Sequence, residues 1–198
     1  MNTEVNVELA KPRVRDRIFK TACELFYRHG IRAVGVDMIA NEAGTNKMSF
    51  YRSFPSKDEL VAEYLRSQEQ QGWSWWDEVT SQHEGDPRAQ VEALFDAHVK
   101  KTCKSDSRGC PLANAAIEIP ESEHPARPVV EHYKQEMRRR FRKLAHQLNS
   151  QQADTLGDAL MLLWEGSYLT RLTFQCQRGP AQSAAKAARA LIEAYTAG

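Results

Sequence analysis

The stretch GIRAVGVDMIANEAGTNKMSFYRSFPSKDEL, residues 30–60, decides the fold of the N-terminal part of the chain. Apolar residues recur in it at intervals of three and four, which predicts a short helix over residues 37–43 with one buried face. These residues are Val36, Ile39, Ala40 and Ala43. Gly44 follows them directly, where a glycine supplies a left-handed C-cap without a Cβ penalty. We therefore expect the chain to reverse sharply at Gly44.

A second helix is expected over residues 47–53, and either Thr45 or Asn46 can cap it through a side-chain oxygen. The spacing places Phe50 and Phe54 on its buried side. The exposed side chains are then mostly cations or hydrogen-bond donors. They are Lys47, Met48, Ser49, Tyr51 and Arg52. Two short helices around a glycine turn form a helix-turn-helix, whose second helix fits the major groove of DNA.

These residues resemble the N-terminal domain of the TetR family of bacterial regulators. The family pattern IA..AG....FY..F.SK..L stands here between Ile39 and Leu60, and the preceding helix matches at Ile18, Ala22 and Leu25. The resemblance covers the first third of the chain. It implies an all-α fold of about nine helices, with an N-terminal three-helix DNA-binding domain and a C-terminal helical domain for ligand binding and dimerisation. It also implies a regulator of transcription and not an enzyme.

The charge distribution agrees with a DNA-binding N-terminal domain. The chain has 27 basic and 26 acidic residues, but the segment from Lys11 to Lys57 holds ten basic and four acidic residues, a net charge of +6. A basic module on an otherwise neutral chain is typical of a protein that binds a polyanion.

Helical periodicity continues to the end of the chain, and we find no convincing strand. Residues 1–10 are expected to form a disordered arm, residues 11–56 the DNA-binding domain and residues 57–198 the ligand-binding and dimerisation domain. Pro12 is placed in the first turn of helix 1, and Ser56 with Glu59 forms a capping box at the start of helix 4.

The candidate DNA contacts follow from the exposed positions and from the resemblance. Those for bases are Asn46, Lys47, Met48 and Ser49, and those for phosphates are Tyr51, Arg52, Lys57, Arg13 and Arg17. Met48 stands where many family members have a small residue, and its side chain could touch a thymine methyl group. The resemblance implies a homodimer that places two recognition helices about 34 Å apart on a palindromic operator.

A small-molecule effector is expected to bind between helices 4 and 8. The candidate lining residues are Trp76, Phe95, His98, Cys110, Tyr133, Met137, Trp164 and Tyr168. The alternative is that they only fill the core, and for the three tryptophans at residues 73–76 core packing is favoured over a ligand cage. Binding of the effector would release the DNA, which makes the protein a repressor.

Cys110 opens a short helix that begins with Pro111, and this GCPLANAAIE segment resembles an element of some TetR subfamilies. The helix dipole and the nearby Arg108 would stabilise a thiolate, as in a redox or electrophile sensor. The alternative is a small apolar side chain packed under a helix start. A cysteine-dependent enzyme with His98 or His124 as base has no supporting motif, and a structural DNA-binding protein without a ligand is a third possibility.

The last two helices carry small and apolar residues beyond those that one core needs. The candidates for a dimer interface on them are Ala159, Leu163, Gly166, Thr170, Ala184, Ala188 and Leu191. Two helices from each subunit would form a four-helix bundle.

The helix before these two carries a basic run at residues 138–143. We interpret this run as a solvated face with ion pairs and not as a second nucleic-acid patch.

Several classes of protein are excluded or disfavoured. No run of about 18 apolar residues exists, which excludes a membrane span, and residues 1–12 do not resemble a signal peptide. A cytoplasmic protein is therefore expected. The four cysteines lack CxxC spacing, so we expect no metal, no cofactor and reduced thiols.

Overall fold

The structure is a computed structural model that describes residues 12–104, 107–148, 150–174 and 179–197. In these ranges the chain forms nine α-helices and no strand, which confirms the all-α prediction. The helices are α1 (Val14–His29), α2 (Val36–Glu42), α3 (Lys47–Ser53), α4 (Lys57–Ser81), α5 (Pro87–Thr102), α6 (Pro111–Glu118), α7 (Arg127–Gln147), α8 (Ala153–Thr173) and α9 (Ala184–Thr196). A 3-10 turn at Pro180–Ser183 precedes α9. The predicted arm, residues 1–10, lies outside the described ranges.

The chain divides into two compact units, one ending at Leu60 and the other beginning at Val61. The predicted domain boundary lies after residue 56, where α4 begins at Lys57. This boundary remains a prediction. None of the described helices is long and apolar enough to cross a membrane.

Helices α1, α2 and α3 pack against one another in the first unit. Their shared core is built from the apolar stripe of each helix, and its fully buried members include Ile18, Ala22, Ile39 and Phe50. Helix α1 begins at Val14, so Pro12 lies before the N-cap Arg13 and not in the first turn as predicted.

The turn between α2 and α3 has the geometry that Gly44 predicts. Gly44 has a φ of 63°, its N–H donates to the carbonyl of Asn41 at 3.0 Å, and the N–H of Thr45 donates to that of Ala40 at 2.9 Å. This pair of bonds is a Schellman motif, which ends α2 and reverses the chain. Asn46, and not Thr45, caps α3, because its side chain accepts from the N–H of Ser49 at 2.9 Å.

Side-chain caps also begin α4 and α5. Ser56 Oγ accepts from the N–H of Glu59 at 3.0 Å, as predicted, and Asp86 accepts from the N–H of Ala89 at 2.9 Å. These caps satisfy amide groups that have no partner inside the helix.

Helices α7 and α8 make the most extensive helix pair of the second unit. Gly157 of α8 lies so close to α7 that a Cβ atom added there would stand 2.6 Å from the Cα of Arg142. A glycine is therefore required where the two backbones meet. Helix α9 packs on both α5 and α8 and completes the bundle.

The basic residues of α7 form ion pairs, which confirms their interpretation as a solvated face. Arg138 and Arg142 both hold Asp158, each with a hydrogen bond of 2.7 Å. Arg139 and Arg140 hold Glu136 within their own helix, at 2.6 and 2.8 Å.

One prediction about the cysteines is wrong. Cys103, the C-cap of α5, is disulfide-bonded, whereas Cys23 and Cys110 form no disulfide. Cys176 lies outside the described residues. The expectation of reduced thiols came from the missing CxxC spacing, and spacing along the chain does not report which cysteines the fold brings together.

Candidate DNA-binding surface and buried polar cluster

The exposed face of α3 carries the residues predicted to contact DNA. Lys47, Met48, Tyr51 and Arg52 line one surface depression on it, and the Met48 side chain is 68% exposed. Phe50 and Phe54 are buried behind this face, with ring centroids 5.9 Å apart. The aromatic pair thus fixes which side of α3 is presented to solvent.

Several of the predicted contact residues, among them Asn46 and Arg17, also have bonds within the unit. The side-chain oxygen of Asn46 is engaged by the cap of α3. Arg17 donates from Nε to the carbonyl of Ala43 at 3.4 Å and from Nη1 to that of Pro12 at 3.3 Å. Arg17 therefore ties α1 to the end of α2, a role that its sequence position did not reveal. Ser49 is half-buried, while Arg13 is exposed and Lys57 half-buried.

Lys47 is paired with a carboxylate that we had not predicted to matter. Its Nζ lies 3.3 Å from both Asp37 oxygens, and both side chains are exposed. An exposed pair adds about 0–1 kcal/mol to stability. Its larger effect is on the charge of the α3 face, because Asp37 offsets the cation nearest the N-terminus of α3.

We expect Asp37→Asn to tighten binding to random duplex DNA by a few-fold and to make its salt dependence steeper, because each new phosphate contact adds about 0.9 to the slope. Fluorescence anisotropy with a labelled random duplex over a series of salt concentrations measures both. Glu42→Gln is the matched control, since it removes the same charge from the same helix but from the side that faces α1. An equal change in the two variants would show that net charge alone acts, and not the pair.

The second unit contains a continuous cluster of aromatic rings. Trp164 of α8 is at its centre and contacts the rings of Phe95, His98, Phe141 and Trp76, with centroids 3.7 to 5.9 Å apart. Tyr168 joins through His98 at 4.4 Å, and Tyr133 through Trp73 at 4.7 Å. Six of the eight predicted effector residues therefore belong to one contact network. The other two, Cys110 and Met137, are buried in the same unit.

His98 is the polar centre of this cluster and is 0% exposed. Its Nε2 lies 2.5 Å from Ser167 Oγ, and its ring stacks on that of Trp164. Burial, with a smaller effect of the Lys101 charge, lowers the pKa of His98 from 6.5 to about 3. The imidazole is therefore neutral in the folded protein at physiological pH.

The pKa of His98 gives a prediction for stability. The unfolded chain binds a proton at His98 as the pH falls below 6.5, whereas the folded chain does so only near 3. We therefore expect the free energy of unfolding to fall as the pH decreases through this window, by up to about 1.4 kcal/mol per pH unit from this group. Urea unfolding between pH 7 and 5 measures it. His98→Phe is expected to show a shallower dependence, and an unchanged one would contradict the assignment.

Cys110 lies in an environment that opposes thiolate formation. Burial raises its pKa, while the charge of Lys134 and, more weakly, the amides of Leu112 and Ala113 act in the other direction without forming a capping hydrogen bond. The predicted effect of the helix terminus is thus present but smaller than the cost of desolvation. The thiol is 3% exposed, so these observations do not favour a sensor at Cys110.

Sequence reasoning missed three groups in this region. These are Phe141, Thr102 and Ser167, all of them buried and none of them among the predicted effector residues. Thr102 follows His98 by one helical turn, and Ser167 lies among apolar residues of α8, so a polar residue on a buried stripe was the available signal. Among the described residues, no cluster of three or more His, Cys, Asp or Glu side chains could hold a metal ion.

The predicted dimer residues separate into two groups. Ala159, Leu163, Gly166, Thr170 and Leu191 are partly exposed. Ala184 and Ala188 are buried inside the unit, where their side chains leave no surface for a partner. The large apolar residues exposed on α8 are instead Leu162, Leu169 and Leu172.

Comparisons with known proteins match the N-terminal part of the chain by sequence and most of the chain by fold. Residues 18–64 match the family model for bacterial regulatory proteins of the tetR family. No protein in a search of curated sequences matches the chain.

Solved structures share the fold along most of the chain. A TetR-family transcriptional regulator from Streptomyces coelicolor has a TM-score of 0.86 at 24% identity, over 92% of this chain and 90% of its own. A TetR-family regulator from Agrobacterium tumefaciens has a TM-score of 0.77 at 19% identity, over 92% and 97%. The reduced form of NemR from E. coli has a TM-score of 0.74 at 17% identity, over 92% and 97%.

The sequence match covers the helix-turn-helix, and the structural matches extend the same architecture through the second unit. The proteins with these matches are regulators of transcription and not enzymes. Residues 18–64 therefore match the DNA-binding domain of the tetR family of bacterial regulatory proteins, and the described chain shares the fold of solved TetR-family regulators.

Proposed function

We propose that this protein is a cytoplasmic, homodimeric repressor that leaves a palindromic operator when a small molecule binds its second unit. The observation that carries the DNA-binding part is the exposed α3 face with Lys47, Met48, Tyr51 and Arg52. It combines cations and a phenol for phosphates with an apolar side chain that can contact a thymine methyl group.

The proposed base contacts are Asn46, Lys47, Met48 and Ser49, with Tyr51, Arg52, Lys57 and Arg13 on phosphates. Arg17 is also a proposed phosphate contact. We expect it to contribute less to DNA binding than the others, because its bond to the carbonyl of Ala43 already uses part of its guanidinium group. Phosphate contacts position the protein, and the contacts of α3 with base edges supply the specificity.

Homodimerisation is supported by the exposed apolar face of α8. Leu162 and Leu169 are seven residues apart, so they lie on one side of the helix, and they are 74% and 61% exposed. Gly166 lies between them and permits close approach of a second helix. On α9 the outward positions are Ala187, Ala190, Leu191 and Ala194. We therefore place these residues in the interface and omit the buried Ala184 and Ala188.

Effector binding is proposed at the aromatic cluster around His98 and Trp164. A molecule that binds better when the two recognition helices are wrongly spaced must weaken DNA binding by the same factor. The cluster contains buried polar atoms that can recognise a specific ligand by hydrogen bonding. A purely apolar core cannot do so.

A mobility-shift titration in the presence of candidate effectors tests the proposal. We expect a dimer-sized complex on one palindrome, dissociated by an effector that also raises the melting temperature of the free protein. An effector that raises the melting temperature but leaves the DNA complex intact at saturating concentration would contradict release. A complex of monomer size would contradict the dimer.

A further inference from the structure

We propose that the second unit binds a small, neutral aromatic molecule carrying an O–H or N–H group, and that this group donates a hydrogen bond to Nδ1 of His98. The inference rests on the proposed effector function and adds the chemical class of the effector.

The first step is the position of the proton on His98. Ser167 Oγ donates its own hydrogen to the carbonyl of Trp164 at 2.7 Å. With its hydrogen placed on that carbonyl, Oγ accepts at its second short contact, the one of 2.5 Å to Nε2 of His98. The proton of the neutral imidazole is thus on Nε2, and Nδ1 presents a lone pair.

The second step is that this lone pair has no donor. Nδ1 of His98 is buried and makes no hydrogen bond in the structure. Protonation does not relieve the group, because burial keeps the ring neutral well below physiological pH. Buried acceptors are nearly always paired in native proteins, so an unpaired one calls for a partner that comes from outside the chain.

The third step is a second unpaired group beside the first. Thr102 Oγ1 is buried and lacks a hydrogen bond as well, and Thr102 follows His98 by one turn of α5, so the two side chains lie on the same face. A hydroxyl group both donates and accepts. An O–H group of a ligand placed between them can donate to His98 and accept from Thr102. An N–H group placed there can donate to His98 next to Thr102.

The residues around His98 indicate the shape and the charge of the rest of the ligand. The rings of Phe95, Trp164 and Tyr168 enclose His98, and aromatic walls favour a flat apolar body. The cation of Lys101 acts electrostatically on His98, which disfavours a cationic ligand. An anion lacking a hydrogen would place its lone pairs against that of Nδ1. A neutral donor is the remaining class.

Phenol and toluene are the probes that test the inference, because they have the same ring and differ by a hydroxyl group in place of a methyl group. The full-length protein is labelled with ¹⁵N-histidine, and a long-range ¹H–¹⁵N spectrum reports which nitrogen of His98 carries the proton. Isothermal titration calorimetry gives the two affinities. His98→Phe assigns the resonance and removes the acceptor.

We expect Nδ1 to be unprotonated in the free protein and its resonance to shift on addition of phenol. Toluene is expected to bind about tenfold more weakly, and His98→Phe to lose this difference. Thr102→Val gives a second measurement, with phenol binding weakened but toluene binding unchanged.

A protonated Nδ1 in the free protein would overturn the inference. So would a resonance that phenol leaves unmoved, because phenol would then not bind at Nδ1. Both readouts are independent of DNA. Phenol that binds His98 as described but never affects the operator complex would therefore contradict the proposed release and leave the inferred site standing.

Discussion

The double variant Leu162→Glu/Leu169→Glu is expected to be a monomer and to bind the operator at least about tenfold more weakly than the parent. Both side chains are exposed, at 74% and 61%, on one face of α8. Exposed leucines at heptad spacing are what a helical interface uses, and a pair of carboxylates there would be buried without partners in a dimer. Analytical ultracentrifugation and a mobility shift measure the two effects.

Ile117→Glu is the matched control for this variant. Ile117 is also 74% exposed, but it lies on α6, outside the proposed interface. We expect it to remain a dimer with parental operator affinity. If the double variant also sediments as a dimer, the interface is not on this face of α8. If Ile117→Glu becomes a monomer instead, the interface includes α6.

Gly157→Ala is expected to lower the free energy of unfolding by about 3 kcal/mol. The added methyl group would stand 2.6 Å from the Cα and 2.8 Å from the backbone N of Arg142. Backbone atoms cannot rotate away as a side chain can, so α7 and α8 must separate along the most extensive helix contact of the unit. Urea unfolding followed by circular dichroism measures the change.

Gly72→Ala is the control for Gly157→Ala. Gly72 is also inside a helix, but its added Cβ would meet only the Tyr133 side chain, at 3.4 Å. Alanine improves helix propensity by about 1 kcal/mol, so we expect a change within about 1 kcal/mol of zero. Equal destabilisation by the two substitutions would show that the α7–α8 approach is not what Gly157 permits.

Local chemistry could be predicted from the sequence because it depends on neighbours along the chain. The left-handed conformation at Gly44, the cap at Ser56 and the burial of Phe50 each follow from a few adjacent residues. The DNA-binding face follows from the same information, since the buried side of α3 determines its exposed side. This is why the helix-turn-helix was the most predictable part of the molecule.

Contacts between distant segments could not be predicted in the same way. Periodicity identified α9 as apolar but not which of its small residues face inward, so Ala184 and Ala188 were assigned to an interface although they are buried. The bond between His98 and Ser167 joins residues 69 positions apart. The disulfide at Cys103 and the ion pair between Asp37 and Lys47 likewise depend on how helices meet.

Titration of the purified protein against fragments of its own upstream intergenic DNA tests the central claim most directly. It is done by mobility shift at fixed salt with competitor DNA, because phosphate contacts alone give non-specific binding. We predict one sharp shift at a palindrome, which is lost in a Lys47→Ala/Tyr51→Ala variant of unchanged melting temperature. Binding that shows no preference over competitor on any upstream fragment, and that the double variant leaves unchanged, would contradict the assignment of α3 as the recognition helix.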